Sequence, residues 1–159
     1  MKYYNYDIVF QEVPDEVSLA INITGCPNHC KGCHSPHLWE DTGKLLDEDA
    51  LDRIIGRYGN LITCVCLMGG DADPEEVVRL LRHVRTHTDL KTAWYSGREL
   101  LPDIMGANAK ISLQDIFYYI KLGPYIPEKG GLKSKTTNQR IYRIEGDEMI
   151  DITDRMQMR

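Results

Sequence analysis

The sequence predicts an α/β fold: a parallel sheet flanked by helices, finished by a short C-terminal β hairpin. Three observations carry this. β-rich runs alternate with helical runs from Asp7 to about Pro124, the pattern of successive βαβ units. The run Leu61–Met68 (LITCVCLM) is almost wholly apolar, as in a parallel strand covered on both faces. After Pro124 the alternation stops, and a polar loop precedes two short β-rich runs.

Each element follows from local pattern. Asp7–Val13 and Val17–Thr24 (VSLAINIT) read as strands separated by the turn Pro14-Asp15-Glu16. In the second, Leu19, Ile21 and Ile23 alternate with Ser18, Ala20 and Asn22, so one face is apolar. Asp47–Tyr58 reads as a helix, because Leu51, Ile54, Ile55 and Tyr58 recur at helical spacing and Asp47, Glu48 and Asp49 suit the positive end of its dipole. Gly59 ends it. Leu61–Met68 runs into Gly69-Gly70-Asp71. A second helix starts at Pro74, a residue favoured in the first turn, with Val77, Val78, Leu80, Leu81 and Val84 inward and Arg79, Arg82 and Arg85 outward. Lys91–Tyr95 is a strand ending at Ser96-Gly97, followed by a short helix over Arg98–Met105. Ile116–Leu122 (IFYYIKL) is the next strand. Gly130–Thr137 is a polar loop, and Arg140–Ile144 with Met149–Ile152 form the closing hairpin around Glu145-Gly146-Asp147.

At 159 residues the chain suits one domain: a core over about 7–125, then the loop and hairpin over about 126–159. Its net charge is −5, without Lys/Arg blocks, which argues against nucleic-acid binding through phosphate contacts. No apolar run approaches the ~18 residues of a membrane span, and the N-terminal Met1–Asp7 stretch is too polar for a signal peptide. A cytoplasmic protein with reduced cysteines is expected, with no membrane partner.

The loops after Val17–Thr24, Leu61–Met68 and Lys91–Tyr95 all leave carboxyl ends of strands, the edge that carries ligands in parallel α/β sheets. The first is Cys26-Pro27-Asn28-His29-Cys30-Lys31-Gly32-Cys33, a C-x3-C-x2-C. Three thiolates so close repel one another unless a cation neutralises them, and thiolates select zinc, copper(I) or iron–sulfur clusters. A closed zinc site needs a fourth ligand; Cys64, Cys66, His29, His34 and His37 are the donors to weigh. Cys64 and Cys66 share one face of an apolar strand, where cysteine behaves as a small hydrophobe. A four-iron cubane held by only three cysteines instead leaves one iron open.

The C-x3-C-x2-C after one strand and Gly69-Gly70-Asp71 after the next resemble the radical SAM superfamily. The resemblance implies a partial, open TIM-like (β/α) barrel and a [4Fe–4S] cluster on Cys26, Cys30 and Cys33. In that superfamily S-adenosylmethionine chelates the fourth iron by its amino and carboxylate groups. Gly32 in place of the usual aromatic, the run Cys33-His34-Ser35-Pro36-His37-Leu38-Trp39 and Tyr119–Tyr125 narrow the likeness, as do Gly130-Gly131-Leu132 and Thr136–Arg140. They are similar to the activating enzymes of anaerobic ribonucleoside-triphosphate reductase, from Asp7 to about Ile144.

By that resemblance the reductase is the protein substrate, a flavodoxin or ferredoxin supplies the electron, and a 5′-deoxyadenosyl radical removes an α-hydrogen from one glycine. Gly32 and His34 would lie near adenine and ribose. Gly69 and Gly70 would meet the methionyl ammonium through backbone carbonyls, with the acidic Asp71 favouring that charge. Ser96 either meets the ligand or is an exposed turn serine. Lys121 either snorkels to the rim or faces the site. His83 and His87, four apart on the second helix, read as solvated, and Trp39 as packing for the cysteine loop. Two other readings stand beside the activase: a radical SAM enzyme modifying another peptide or small molecule, and a zinc-binding or electron-transfer module.

Overall fold

The computed structural model describes residues 1–10, 12–25, 43–99 and 112–157. In chain order the strands are β1 (Lys2–Val9), β2 (Ser18–Ile23), β3 (Lys44–Leu45), β4 (Cys64–Met68), β5 (Lys91–Tyr95), β6 (Tyr119–Leu122), β7 (Arg140–Glu145) and β8 (Glu148–Asp151). The helices are α1 (Glu48–Tyr58), α2 (Pro74–His87) and α3 (Thr153–Gln157). All eight strands join one sheet in the order β3-β1-β2-β4-β5-β6-β7-β8. The central strands β2, β4, β5 and β6 are parallel. β1 and β7 flank them antiparallel, and β7 and β8 form the C-terminal hairpin.

Local chemistry sets the helix ends. The Asp47 carboxylate accepts from the Ala50 amide at 2.8 Å and caps α1, and the Gly59 amide donates to Ile55 O where that helix stops. Asp73 caps α2 through the Glu76 amide at 3.3 Å, ahead of Pro74 in the first turn. α1 buries Ala50, Leu51 and Ile54; α2 buries Val77, Leu80, Leu81 and Val84. These side chains meet Leu19, Ile21, Ile23, Val65, Leu67, Trp94 and Ile120 of the sheet in the main core. The alternate strand residues point the other way, because side chains in a strand alternate between faces. There Cys64, Cys66, Ala93, Tyr95 and Tyr119 pack with Val13, Ile141, Ile152 and Met156 in a second, smaller core.

Three strands differ most from the boundaries read in the sequence. β1 begins at Lys2 and ends at Val9 rather than spanning Asp7–Val13. Its tyrosines suit a pleated surface, and pairing from Tyr3↔Ile23 to Val9↔Ser18 draws the polar N-terminus into the sheet. β4 starts at Cys64, after a 3-10 turn at Gly59–Leu61. β6 starts at Tyr119, not Ile116. The two-residue β3 and the short α3 have no clear periodic signal in the sequence. Most of the helix expected over Arg98–Met105 lies outside the described residues. Among those described, no helix is long and apolar enough to cross a membrane.

Candidate cofactor site

Register brings the three strand exits together. Asn22 pairs with Met68 and Met68 with Tyr95, so β2, β4 and β5 end side by side and open into Gly25, Gly69-Gly70-Asp71 and Ser96-Gly97 at one edge. Gly69 and Gly70 have φ of +110° and +89°, a backbone region that side chains disfavour. Space excludes side chains as well. A Cβ on Gly69 would lie 3.2 Å from Ile23 O, and one on Gly70 would lie 2.6 Å from Val77 Cγ2. The glycine turn is therefore pressed against the end of β2, which leads directly into the cysteine loop. The Gly69 amide donates to Tyr95 O at 3.0 Å, and the Trp94 indole N–H donates to Gly69 O at 2.6 Å.

Asp71 is 1% exposed. Its carboxylate accepts from Ser96 Oγ at 2.5 Å and from the Gly97 amide at 2.8 Å. Ser96, read as either a ligand contact or an exposed turn serine, is fully buried. Lys121 reaches this same edge: its ammonium donates to Ser96 O at 3.0 Å and Gly123 O at 3.2 Å, near the Tyr95 ring. A cavity of about 310 Å³ opens beside Tyr95, walled by Glu12, Leu132, Lys133, Ser134 and Met156 among others. The polar loop after Gly130 and helix α3 thus reach the face of the sheet opposite α1 and α2. Sequence patterning did not indicate this, because neither segment carries a periodic signal.

Cys26, Cys30 and Cys33, with Gly32 and His34 beside the last of them, lie outside the described residues. The ends of their segment are placed, however. The Thr24 amide donates to Lys2 O at 3.0 Å on one side, and the Leu46 amide donates to Met1 O at 2.9 Å on the other. The two described cysteines belong to the core. Cys64 and Cys66 are unpaired, wholly buried thiols in the second core. Burial pushes the Cys64 thiol up to about 12 against a lesser pull from Ser18, and burial followed by the neighbouring Cys64 raises Cys66 well above the ordinary thiol value. Among the described residues no group of three or more His, Cys, Asp or Glu side chains is arranged to hold a metal ion. The expected donor set is the cysteine triplet of the sequence, since closely spaced thiolates suit an iron–sulfur cluster.

One of the two histidines of α2 departs from expectation. His83 has a side chain only 13% exposed, and its Nε2 lies 2.9 Å from Asp52 Oδ1 of α1. It is an inter-helix contact, while His87 beside it is exposed. Arg79 is likewise engaged, by Glu76 and by Glu48 at 2.6 Å.

The parallel core strands, the glycine turn at their carboxyl edge and the C-terminal hairpin form a mixed α/β sheet consistent with a partial barrel of the radical SAM type. Comparison with known families places it more closely: residues 17–142 match the 4Fe-4S single cluster domain, and the chain belongs to that family. No curated protein and no solved structure matches it.

Proposed function

We propose that this protein is an activating enzyme that cleaves S-adenosylmethionine reductively and installs a glycyl radical on anaerobic ribonucleoside-triphosphate reductase. Cys26, Cys30 and Cys33 would hold a [4Fe–4S] cluster that, once reduced by an electron donor, would supply the single electron needed to cleave the sulfonium S–C5′ bond. The observation that carries this reading is the packing of Gly69 against Ile23, so close that a Cβ on the glycine would lie 3.2 Å from Ile23 O. It sets side-chain-free backbone beside the strand end that leads into Cys26.

The chain's own residues have definite parts in it. Cys26, Cys30 and Cys33 hold the cluster and leave one iron for the ligand. Gly69 and Gly70, at positive φ and packed against Ile23 and Val77, offer bare backbone to the methionyl end. Gly32 and His34 flank the nucleoside. Cys64 and Cys66 pack with Ala93, Tyr119 and Ile141 in the second core, so the cluster is assigned to the triplet and not to them. The narrower choice of the reductase as substrate is supported by the sequence likeness around Cys33–Trp39, Tyr119–Tyr125 and Thr136–Arg140. A flavodoxin or ferredoxin fits as electron donor.

The test is anaerobic reconstitution with iron and sulfide. The reduced protein is expected to show a cluster EPR signal that changes on adding S-adenosylmethionine, and to release methionine and 5′-deoxyadenosine. Adding the reductase is expected to produce a glycyl-radical signal. Cys30→Ala is expected to abolish cleavage; full cleavage by that variant sinks the proposal. One zinc per chain without sulfide would replace it with the zinc-module reading.

A further inference from the structure

The acid of the Gly69-Gly70-Asp71 turn has its side chain directed along the sheet edge, into the neighbouring loop. Oδ1 accepts from Ser96 Oγ and Oδ2 from the Gly97 amide, at 2.5 and 2.8 Å. The Asp71 carbonyl accepts from the Arg98 guanidinium at 2.6 Å. Ser96 Oγ in turn accepts from the Arg98 amide at 3.0 Å. From the far side, the Lys121 ammonium donates to Ser96 O at 3.0 Å, while the Ser96 amide donates to Lys121 O at 2.9 Å. A buried carboxylate is costly unless it is hydrogen-bonded, and bonds to an ionised acceptor are short and strong. Both faces of the Ser96-Gly97 turn are therefore held by charged groups, Asp71 from the loop after β4 and Lys121 from β6.

We infer that Asp71 is a positioning residue: it fixes the Ser96-Gly97 turn against the Gly69-Gly70 turn before any ligand arrives. Its effect on a bound sulfonium nucleoside is exerted through the two backbone turns rather than by pairing with the ligand's ammonium. Ser96 and Lys121 complete the same brace. Preorganised sites bind more tightly because less ordering is left to the binding step. This rests on the reading of the edge as the S-adenosylmethionine site, but the brace itself can be measured without cluster or ligand.

The experiment combines hydrogen exchange on the cluster-free protein with a double-mutant cycle on the reconstituted one. In the cluster-free protein, Asp71→Asn and Ser96→Ala are expected to speed exchange of the Gly97 and Arg98 amides. In the reconstituted protein, each variant is expected to weaken S-adenosylmethionine binding about tenfold, and the double variant no more than either alone, as for members of one coupled unit. Unchanged exchange, or losses that multiply in the double variant, overturns the inference in favour of direct ligand contact by Asp71. Faster exchange with unchanged ligand affinity overturns it too. Should Asp71→Asn not fold, Ser96→Ala decides the matter by the same two readouts. A wild-type reconstituted protein that binds no S-adenosylmethionine refutes the proposed function instead, while the exchange result stands.

Discussion

Cys64 shows how one side chain's surroundings decide its chemistry. The proposal assigns the iron–sulfur cluster to three other cysteines, whereas Cys64 sits among apolar side chains, where burial lifts its thiol to about 12. In the unfolded chain it ionises near 9.0, so above that pH the unfolded state loses its proton first. Stability is thus complete below about pH 9 and falls as pH rises toward 12. Urea midpoints between pH 8 and 11 are expected to drop more steeply for the wild type than for Cys64→Ala. Gly70 shows the steric counterpart. Its φ is +89°, and a methyl group there would meet Val77 Cγ2 at only 2.6 Å. Gly70→Ala is therefore expected to cost roughly 1–3 kcal/mol, read from denaturant unfolding.

Among the elements, the two long helices are specified mostly by themselves and docked by the sheet. Asp47 and Asp73 each precede an apolar stripe and cap it, so these helices are legible in sequence. Asp47→Ala is expected to destabilise the protein by about 1 kcal/mol, seen as a lower urea midpoint with unchanged slope. The strands are less legible. β1 takes its length from its partner: Tyr3, Tyr6 and Ile8 pack against the main core because β2 lies beside them. The tilted Tyr3–Tyr6 ring pair, 6.0 Å between centroids, is consistent with that shared side. His83 read as solvated for the same reason in reverse. Its partner Asp52 is 31 residues away, on a different helix.

At the scale of the molecule, the C-terminal segment is more than a closing hairpin. Ile141, Ile152 and Met156 fill the second core over Cys64, Cys66, Ala93 and Tyr119, and Thr153 Oγ1 accepts from the Ile141 amide at 2.9 Å. A chain ending at Tyr125 would expose that face and the unpaired edge of β6. It is expected to aggregate or to lose cooperative unfolding, which size-exclusion chromatography and a thermal melt would show. Soluble, cooperative folding of the shortened chain would show that the first core suffices. The match over residues 17–142 runs into β7, in keeping with β7 being part of the domain.

Sequence alone determined the features that depend on near neighbours. These are the helix caps and stripes, the apolar β4, the glycine turn and the cysteine spacing, with the parallel α/β class that their alternation implies. Tertiary structure decided what depends on residues far apart in the chain. It paired β1 with β2 and folded the C-terminal segment across the second face. It also turned the Asp71 carboxylate toward Ser96 and Gly97, 25 and 26 residues on. Periodicity records which side of a strand or helix is buried; it carries no record of which distant backbone amide a buried carboxylate will meet.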